Sequence, residues 1–417
     1  MPARIQLTPH CSIQPPLSRR GRGPPMIIFV PDHLDLSLND QTVLDPPPLQ
    51  KWAEESYCVG QVLVGKHDDQ DTIETKIAMV RNHLSRHASS EEHDMIGIVI
   101  SDAATTAAIE AIEAFSLDIV TLVFFGCYPP QPIVGSRGDT PVLVHLPRDY
   151  EANPNNPKVI SRGRNEQYSI IVYRYLHPGS FFTISSHKDY GRSAASLAHS
   201  RTLEFLKSKH DGPHFDLAQI WDEHTSLEFG PDKSVEATMA TMVQEPYVNH
   251  VPTLTGGIGR ERLTSFYREH FIHSNSEDAT LELVSRTVGI DRVVDEFIFK
   301  CTHNKVIDWL VPGVPPTYLY IRIPMTAIVG FRGDRLCHEH ISWDQGTVLR
   351  QLGLMPEYLP FPYIFNGRAE GKTYEYRVPV AGTETARKLA DAKAEPSNGM
   401  LEFAVREAMD GERGDGW

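Results

Sequence analysis

Long apolar runs are missing: no stretch of the 417 residues approaches the ~20 consecutive apolar positions that cross a bilayer, which argues against a spanning helix. Excess basic charge is missing too. The formal net charge of -14 excludes the basic footprint that nucleic acid or an anionic membrane surface requires, leaving neutral or cationic small molecules, or protein, as partners. Cysteine is sparse and scattered (Cys11, Cys58, Cys127, Cys301, Cys337), with no C-x-x-C pair. That pattern fits neither a disulfide framework nor a thiolate zinc site, and it points to a reducing compartment, the cytoplasm. Acidic residues are absent from the first 25 positions, which are rich in Pro and Arg and lack the apolar core of a signal peptide. Residues 1–25 are therefore expected to be a disordered leader, with a mitochondrial transit peptide as the alternative.

What is present is ordinary globular material, 41% apolar and 23% charged, long enough for two domains. Residues 26–210 alternate strand-like and helix-like segments. Apolar runs at 95–101, 119–125, 141–146 and 169–175 are interleaved with helical patterns at 72–88, 103–114 and 193–209. Strands apolar on both faces and separated by helices predict a parallel sheet covered on both sides, an α/β domain. Gly212-Pro213 marks the boundary. Beyond it, helical spacing at 215–229 places Leu217, Ile220, Trp221, His224 and Leu227 on one face, and further helices are expected at 234–244 and 260–270. Strands then follow in series at 280–288, 292–302, 318–329 and 336–343. Helices followed by an antiparallel meander predict an α+β barrel over 214–357, with 358–417 as a C-terminal extension packing on the domains.

The densest chemistry lies in residues 332–353. Alternation along the strand puts His338, His340 and Ser342, and Asp344 beyond them, on one face, and Glu339, Ile341 and Trp343 on the other. If the first face looks into a cavity, imidazoles and a carboxylate converge on a ligand. If the second does, the histidines are a solvated edge. A metal held by His338, Glu339 and His340 with Asp344 is the weaker alternative, since positions i and i+2 of one strand supply only two ligands on a face, and no metal or other cofactor is expected.

Two resemblances add to this. The order of pieces in 26–210, the strand P-V-L-V-H-L-P-R-D and the helix A-A-S-L-A-H-S-R-T-L-E-F-L resemble the dienelactone hydrolase branch of the α/β-hydrolases. The resemblance implies an ester or lactone hydrolase with a nucleophile, an acid and a histidine. At the nucleophile position the chain has Val99-Ile100-Ser101-Asp102-Ala103 without the flanking glycines of an elbow, and Ser180 stands where an imidazole is expected. Ser101, Asp102, Asp149 and Ser180 thus read as a degenerate triad.

Residues 215–353, through His250 and Pro252, the G-G-x-G-x-x-x-L-x-x-F-Y run from Gly256 to Tyr267, P-G-V-P-P-T and Trp343-Asp344, resemble the SnoaL-like branch of the nuclear-transport-factor-2-like superfamily. The resemblance implies a conical pocket for a hydrophobic, polyketide-like carbonyl compound, and acid/base chemistry of the isomerase, cyclase or hydratase kind by Asp344, with His250 and His340. Tyr247, Trp343, His338, Glu339, Phe266 and Tyr267 are the expected pocket residues. It equally implies a non-catalytic ligand-binding module beside a pseudo-hydrolase domain, and a homodimer formed through the barrel sheet.

Overall fold

A computed structural model describes residues 2–36, 44–92, 94–100, 119–129, 134–135, 138–148, 170–176, 179–210 and 212–408. The first half is built on an eight-stranded sheet. Its strands are β1 (Ile5–Thr8), β2 (Cys11–Gln14), β3 (Pro25–Pro31), β4 (Cys58–Val64), β5 (Met95–Ile100), β6 (Ile119–Phe125), β7 (Val142–Pro147) and β8 (Ile170–Tyr175). They lie in the order β1-β2-β4-β3-β5-β6-β7-β8. From β4 to β8 every pairing is parallel, while β2 runs antiparallel to both its neighbours.

Burial explains the apolar runs. Ile27, Phe29, Val99, Phe124 and Val144 belong to one core cluster, to which helix α2 (Gln70–Leu84), lying over β2, β3 and β4, adds Ile73, Ile77, Val80 and Leu84. Met26, Ile28, Ile98, Val123 and Leu143 belong to the other, under α1 (Pro48–Glu54) and α3 (Arg192–Lys209). The central strands β3, β4, β5 and β7 are buried on both faces, so alternation is invisible in their sequence. The expected disordered leader is corrected here: residues 5–14 pair as β1 and β2 onto β4 because Cys11 and Ile13 fill the sheet edge at 1% and 0% exposure. The helix expected at 103–114 lies outside the described residues.

The second half wraps α4 (Leu217–Phe229), α5 (Val235–Ala240) and α6 (Arg260–Phe266) against one face of a six-stranded sheet. Its strands are β9 (Met242–His250), β10 (Thr255–Ile258), β11 (Thr280–Val288), β12 (Arg292–Thr302), β13 (Tyr320–Arg332) and β14 (Arg335–Trp343), in the order β10-β9-β14-β13-β12-β11. The sheet is mixed, since β9 and β14 run parallel while the other pairings are antiparallel. Asp216 caps α4 by accepting from Gln219 N at 3.0 Å, and Ser234 caps α5 from Ala237 N at 3.2 Å. The helix expected to run to 244 stops at Ala240, because Met242 and Val243 are claimed by the sheet. After α6 the chain continues as one π turn, Tyr267–Phe271, which turns both Tyr267 and Phe271 into the core. A short helix, α7 (Gln345–Gln351), follows β14. The C-terminal extension adds a three-stranded sheet (Tyr358–Pro360, Tyr374–Arg377, Arg406–Glu407) and a helix, Glu384–Ala390.

The two halves meet at the β13–β14 turn. Arg332 pairs with Glu54 at 2.9 Å, Gly333 N donates to Glu55 Oε2 at 2.9 Å, and Asp334 accepts from the backbone of Arg19 and Arg20. Gly333 has φ +58°, and a Cβ there would lie 2.3 Å from the Glu54 carbonyl, so this turn admits only glycine. Among the described residues no helix is long and apolar enough to cross a membrane, and no two cysteines form a disulfide.

Candidate functional site

A cavity opens between α4, the π turn and the inner face of the second sheet. It is narrow: about 40 Å³ of it can take the centre of a water-sized molecule, which is room for ordered water and below the range of pockets for drug-sized ligands. Phe229, Phe271, Phe297, Phe299, Trp309 and Met325 are among the apolar residues of its wall. The polar part consists of Thr225, His250 and a corner formed by Glu228, Glu339 and Tyr267, with His224 behind them.

That corner is assembled from three elements. Residues 224 and 228 are four apart on α4 and share its inward face. Tyr267 comes from the π turn, and Glu339 from β14. A bulge at Cys337, where β13 advances one residue and β14 two, sets Leu336 and Glu339 on the same inner face. The result is that His224, Glu228, Glu339 and Tyr267 are 0%, 3%, 3% and 1% exposed. His224 Nε2 lies 3.2 Å from Glu228 Oε1 and 3.2 Å from Glu339 Oε1. The Tyr267 hydroxyl is 3.4 Å from both Glu339 Oε1 and His224 Nε2.

The tautomer of His224 follows from its other edge. Thr241 Oγ1 donates its one proton to the Thr238 carbonyl at 2.7 Å, so it can only accept from His224 Nδ1, 2.6 Å away. Nδ1 carries a proton, and Nε2 faces the two carboxylates. Burial works against the imidazolium, but Glu228 and Glu339 overcome it and raise the His224 pKa to about 10. Burial raises the Glu228 carboxyl and the Tyr267 hydroxyl, so Tyr267 stays a neutral O–H donor. Glu228 Oε1 has no hydrogen-bond partner, because the His224 ring direction misses it.

His250, at the end of β9, stands in an aromatic box, with ring centres 5.0 Å from Trp309, 5.4 Å from Phe271, 5.7 Å from Phe266 and 5.9 Å from Trp343. Its Nδ1 is 3.1 Å from Thr255 Oγ1, and burial lowers its pKa to about 3, so it is neutral.

Glu339, Tyr267 and His250 thus line the cavity, while Phe266 and Trp343 pack in the core around His250. The face containing Asp344, His338 and His340 is the outer one. Tyr247, His338 and His340 cluster there, with ring centres 5.4 Å (Tyr247 to His340) and 5.1 Å (His338 to His340) apart, in and beside a cleft facing the first domain. Asp344 is exposed and caps α7, accepting from Gly346 N at 3.2 Å, Thr347 N at 3.0 Å and Thr347 Oγ1 at 2.7 Å. Its geometry is that of a helix cap, outside the cavity. In the first domain Ser101, Asp102 and Asp149 lie outside the described residues. Ser180 sits half-buried in a turn.

His224 and Glu228 were missed as site residues, although His224 was placed on the apolar face of its helix. The signal was a titratable pair at i and i+4 on that face.

No family model matches the chain, and no curated protein matches it. Solved structures similar to part of it include a protein of ketosteroid isomerase-like fold from Catenulispora acidiphila, in complex with trimethylamine, at 19% identity and TM-score 0.26, covering 33% of this chain and 94% of that one. Another, from Jannaschia, is provisionally assigned as a SnoaL-like polyketide cyclase (14% identity, TM-score 0.27, 35% of this chain and 100% of that one). A third is a nuclear-transport-factor-2-like protein of unknown function from Burkholderia pseudomallei (14%, 0.26, 32% and 95%). Likeness at this level bears on neither activity nor substrate. Nothing among these comparisons supports the dienelactone hydrolase resemblance.

Proposed function

We propose that the second domain binds a hydrophobic carbonyl compound in its cone and moves a proton on it, in chemistry of the isomerase, cyclase or hydratase kind. One observation carries this reading: an aromatic cavity whose polar end is a fully buried His-Glu-Glu-Tyr cluster. Burying two carboxylates beside one imidazole is costly for stability, and such groups cluster where function needs them. The chemistry fits. A carboxylate whose pKa burial has raised is a stronger base at neutral pH, and a neutral tyrosine hydroxyl or an imidazolium can stabilise an enolate oxygen. Glu339, Glu228, His224 and Tyr267 replace Asp344 as the residues of interest.

The test is solvent deuterium exchange alpha to the carbonyl, followed by NMR over a panel of aromatic ketones and β-diketones. Binding is read in parallel by quenching of Trp221 and Trp309, which line the cavity. Exchange lost in Glu339→Gln and Glu228→Gln supports the reading. Binding without exchange assigns a non-catalytic ligand-binding module, and neither binding nor exchange overturns both.

The parallel sheet of the first domain favours, as a second reading, a hydrolase-type scaffold of the dienelactone hydrolase kind without its triad. The expectation is no turnover of p-nitrophenyl acetate. Turnover abolished by Ser101→Ala or Asp102→Ala would overturn it.

A further inference from the structure

We propose that His224, Glu228 and Glu339 bind a divalent transition-metal cation at the inner end of the cone. One atom from each of the three residues can be chosen so that all lie within 4.8 Å of one another. Two of the spacings, His224 Nε2 to each carboxylate, are 3.2 Å. Ligands about 2.1 Å from a common cation stand roughly 3.0–3.4 Å apart, so these two spacings match the edges of a coordination polyhedron.

Three further observations point the same way. Thr241 accepts the Nδ1 proton of His224 and orients the ring, so that Nε2 is the nitrogen a metal would take once it displaces the second proton of the imidazolium. Glu228 Oε1 is fully buried, aimed into the cluster and without a hydrogen-bond partner. With His224 neutral, as coordination through Nε2 requires, the two carboxylates would face no positive charge, and a divalent cation supplies it.

The donor set of one imidazole nitrogen and two carboxylates suits Zn²⁺, Mn²⁺ or Fe²⁺ better than a softer cation. Three protein ligands leave coordination positions open, and the cavity beyond Glu228 and Glu339 has room there for a water or a carbonyl oxygen. The site shares its cavity with the function proposed above and rests on that reading only for the cation's use, since cation binding is measured with metal alone.

The experiment uses the full chain, stripped with chelator and titrated with Zn²⁺ and Mn²⁺ by calorimetry. A Co²⁺ absorption spectrum and quenching of Trp221, whose ring stacks 5.6 Å from His224, serve as reporters. One cation per chain is expected, with a nitrogen and oxygen spectrum. Binding should be lost in Glu228→Gln, weakened about 10- to 100-fold in Thr241→Val, and unchanged in the His338→Gln/His340→Gln control. Zero stoichiometry, a thiolate charge-transfer band with Co²⁺, undiminished affinity in Glu228→Gln, or loss in the control pair would each overturn the proposal. The Co²⁺ spectrum needs no variant, so a misfolded substitution does not remove the test.

Discussion

Arg332, at the tip of the β13–β14 turn, lies 2.9 Å from Glu54 at the end of α1, with Glu54 3% exposed. The pair joins two separate hydrophobic cores through a buried charge contact, and Asp45, 3.7 Å away, adds to it. Removing one partner strands the other without water. Arg332→Ala should cost roughly 3–5 kcal/mol. Calorimetry of the unaltered chain should show one transition for the described halves, and the variant a lower or divided one; an unchanged melt would show that the turn is not a structural link.

Asp344 is a helix cap by geometry, and caps are worth about 0.5–2 kcal/mol when replaced by alanine. Asp344→Ala should lower the midpoint of denaturation accordingly, and Asp344→Asn, a good cap, should leave it nearly unchanged. Ligand binding and any proton exchange should stay within a few-fold in both. A selective loss of exchange in Asp344→Asn would restore the residue to the chemistry.

Stability should fall in mild acid because of His145. Thr202 Oγ1 donates to the Ala198 carbonyl, so His145 Nε2–H donates to Thr202 at 2.9 Å, and Nδ1 accepts from Tyr175 at 2.8 Å. Burial lowers the pKa from 6.5 to about 3. The folded chain therefore stays neutral there while the unfolded chain takes up a proton. Stability is full above pH 6.5 and declines as pH falls from 6.5 towards 3, by roughly 2 kcal/mol at pH 5 for this one group. Buried His250, also lowered to about 3, adds loss in the same window. Urea unfolding at pH 7.5 and 5.0 measures it, and His145→Gln should flatten the difference.

The polar corner should be a stability cost. Replacing the buried charged set together, His224→Leu with Glu228→Leu and Glu339→Leu, removes the unpartnered Glu228 oxygen without stranding a charge, and such replacements by apolar groups are often neutral or stabilising by about 1–4 kcal/mol. Thermal melting of metal-stripped protein tests this, and a large fall in Tm would mean the cluster is needed to hold the fold.

How much of this was legible differs between elements. The strands Thr280–Val288 and Arg292–Thr302 end where their sequence patterns end, and Ile119–Phe125 does as well. Residues 5–14 read as a leader because two four-residue strands carry too little pattern to stand out. Alternation separated Glu339 and Trp343 from His338 and His340 correctly, but it cannot say which face is inside. A buried glutamate looks improbable until its partner is known, and that partner, His224, is far away in sequence. Asp344 carried a local signal, an aspartate before a helix with Thr347 three residues on, which outranks its resemblance to an acid/base residue.

The parallel pairing of β9 with β14 sets Val248 beside Glu339, and the same closure brings Glu339 to His224. Contacts spanning so much chain form only after the intervening hairpins have reduced the entropy of closing the loop. The polar corner is therefore expected to assemble late. A half-folded chain thus lacks His224, Glu228 and Glu339 in one place, so a cation that needs all three reports that the sheet has closed.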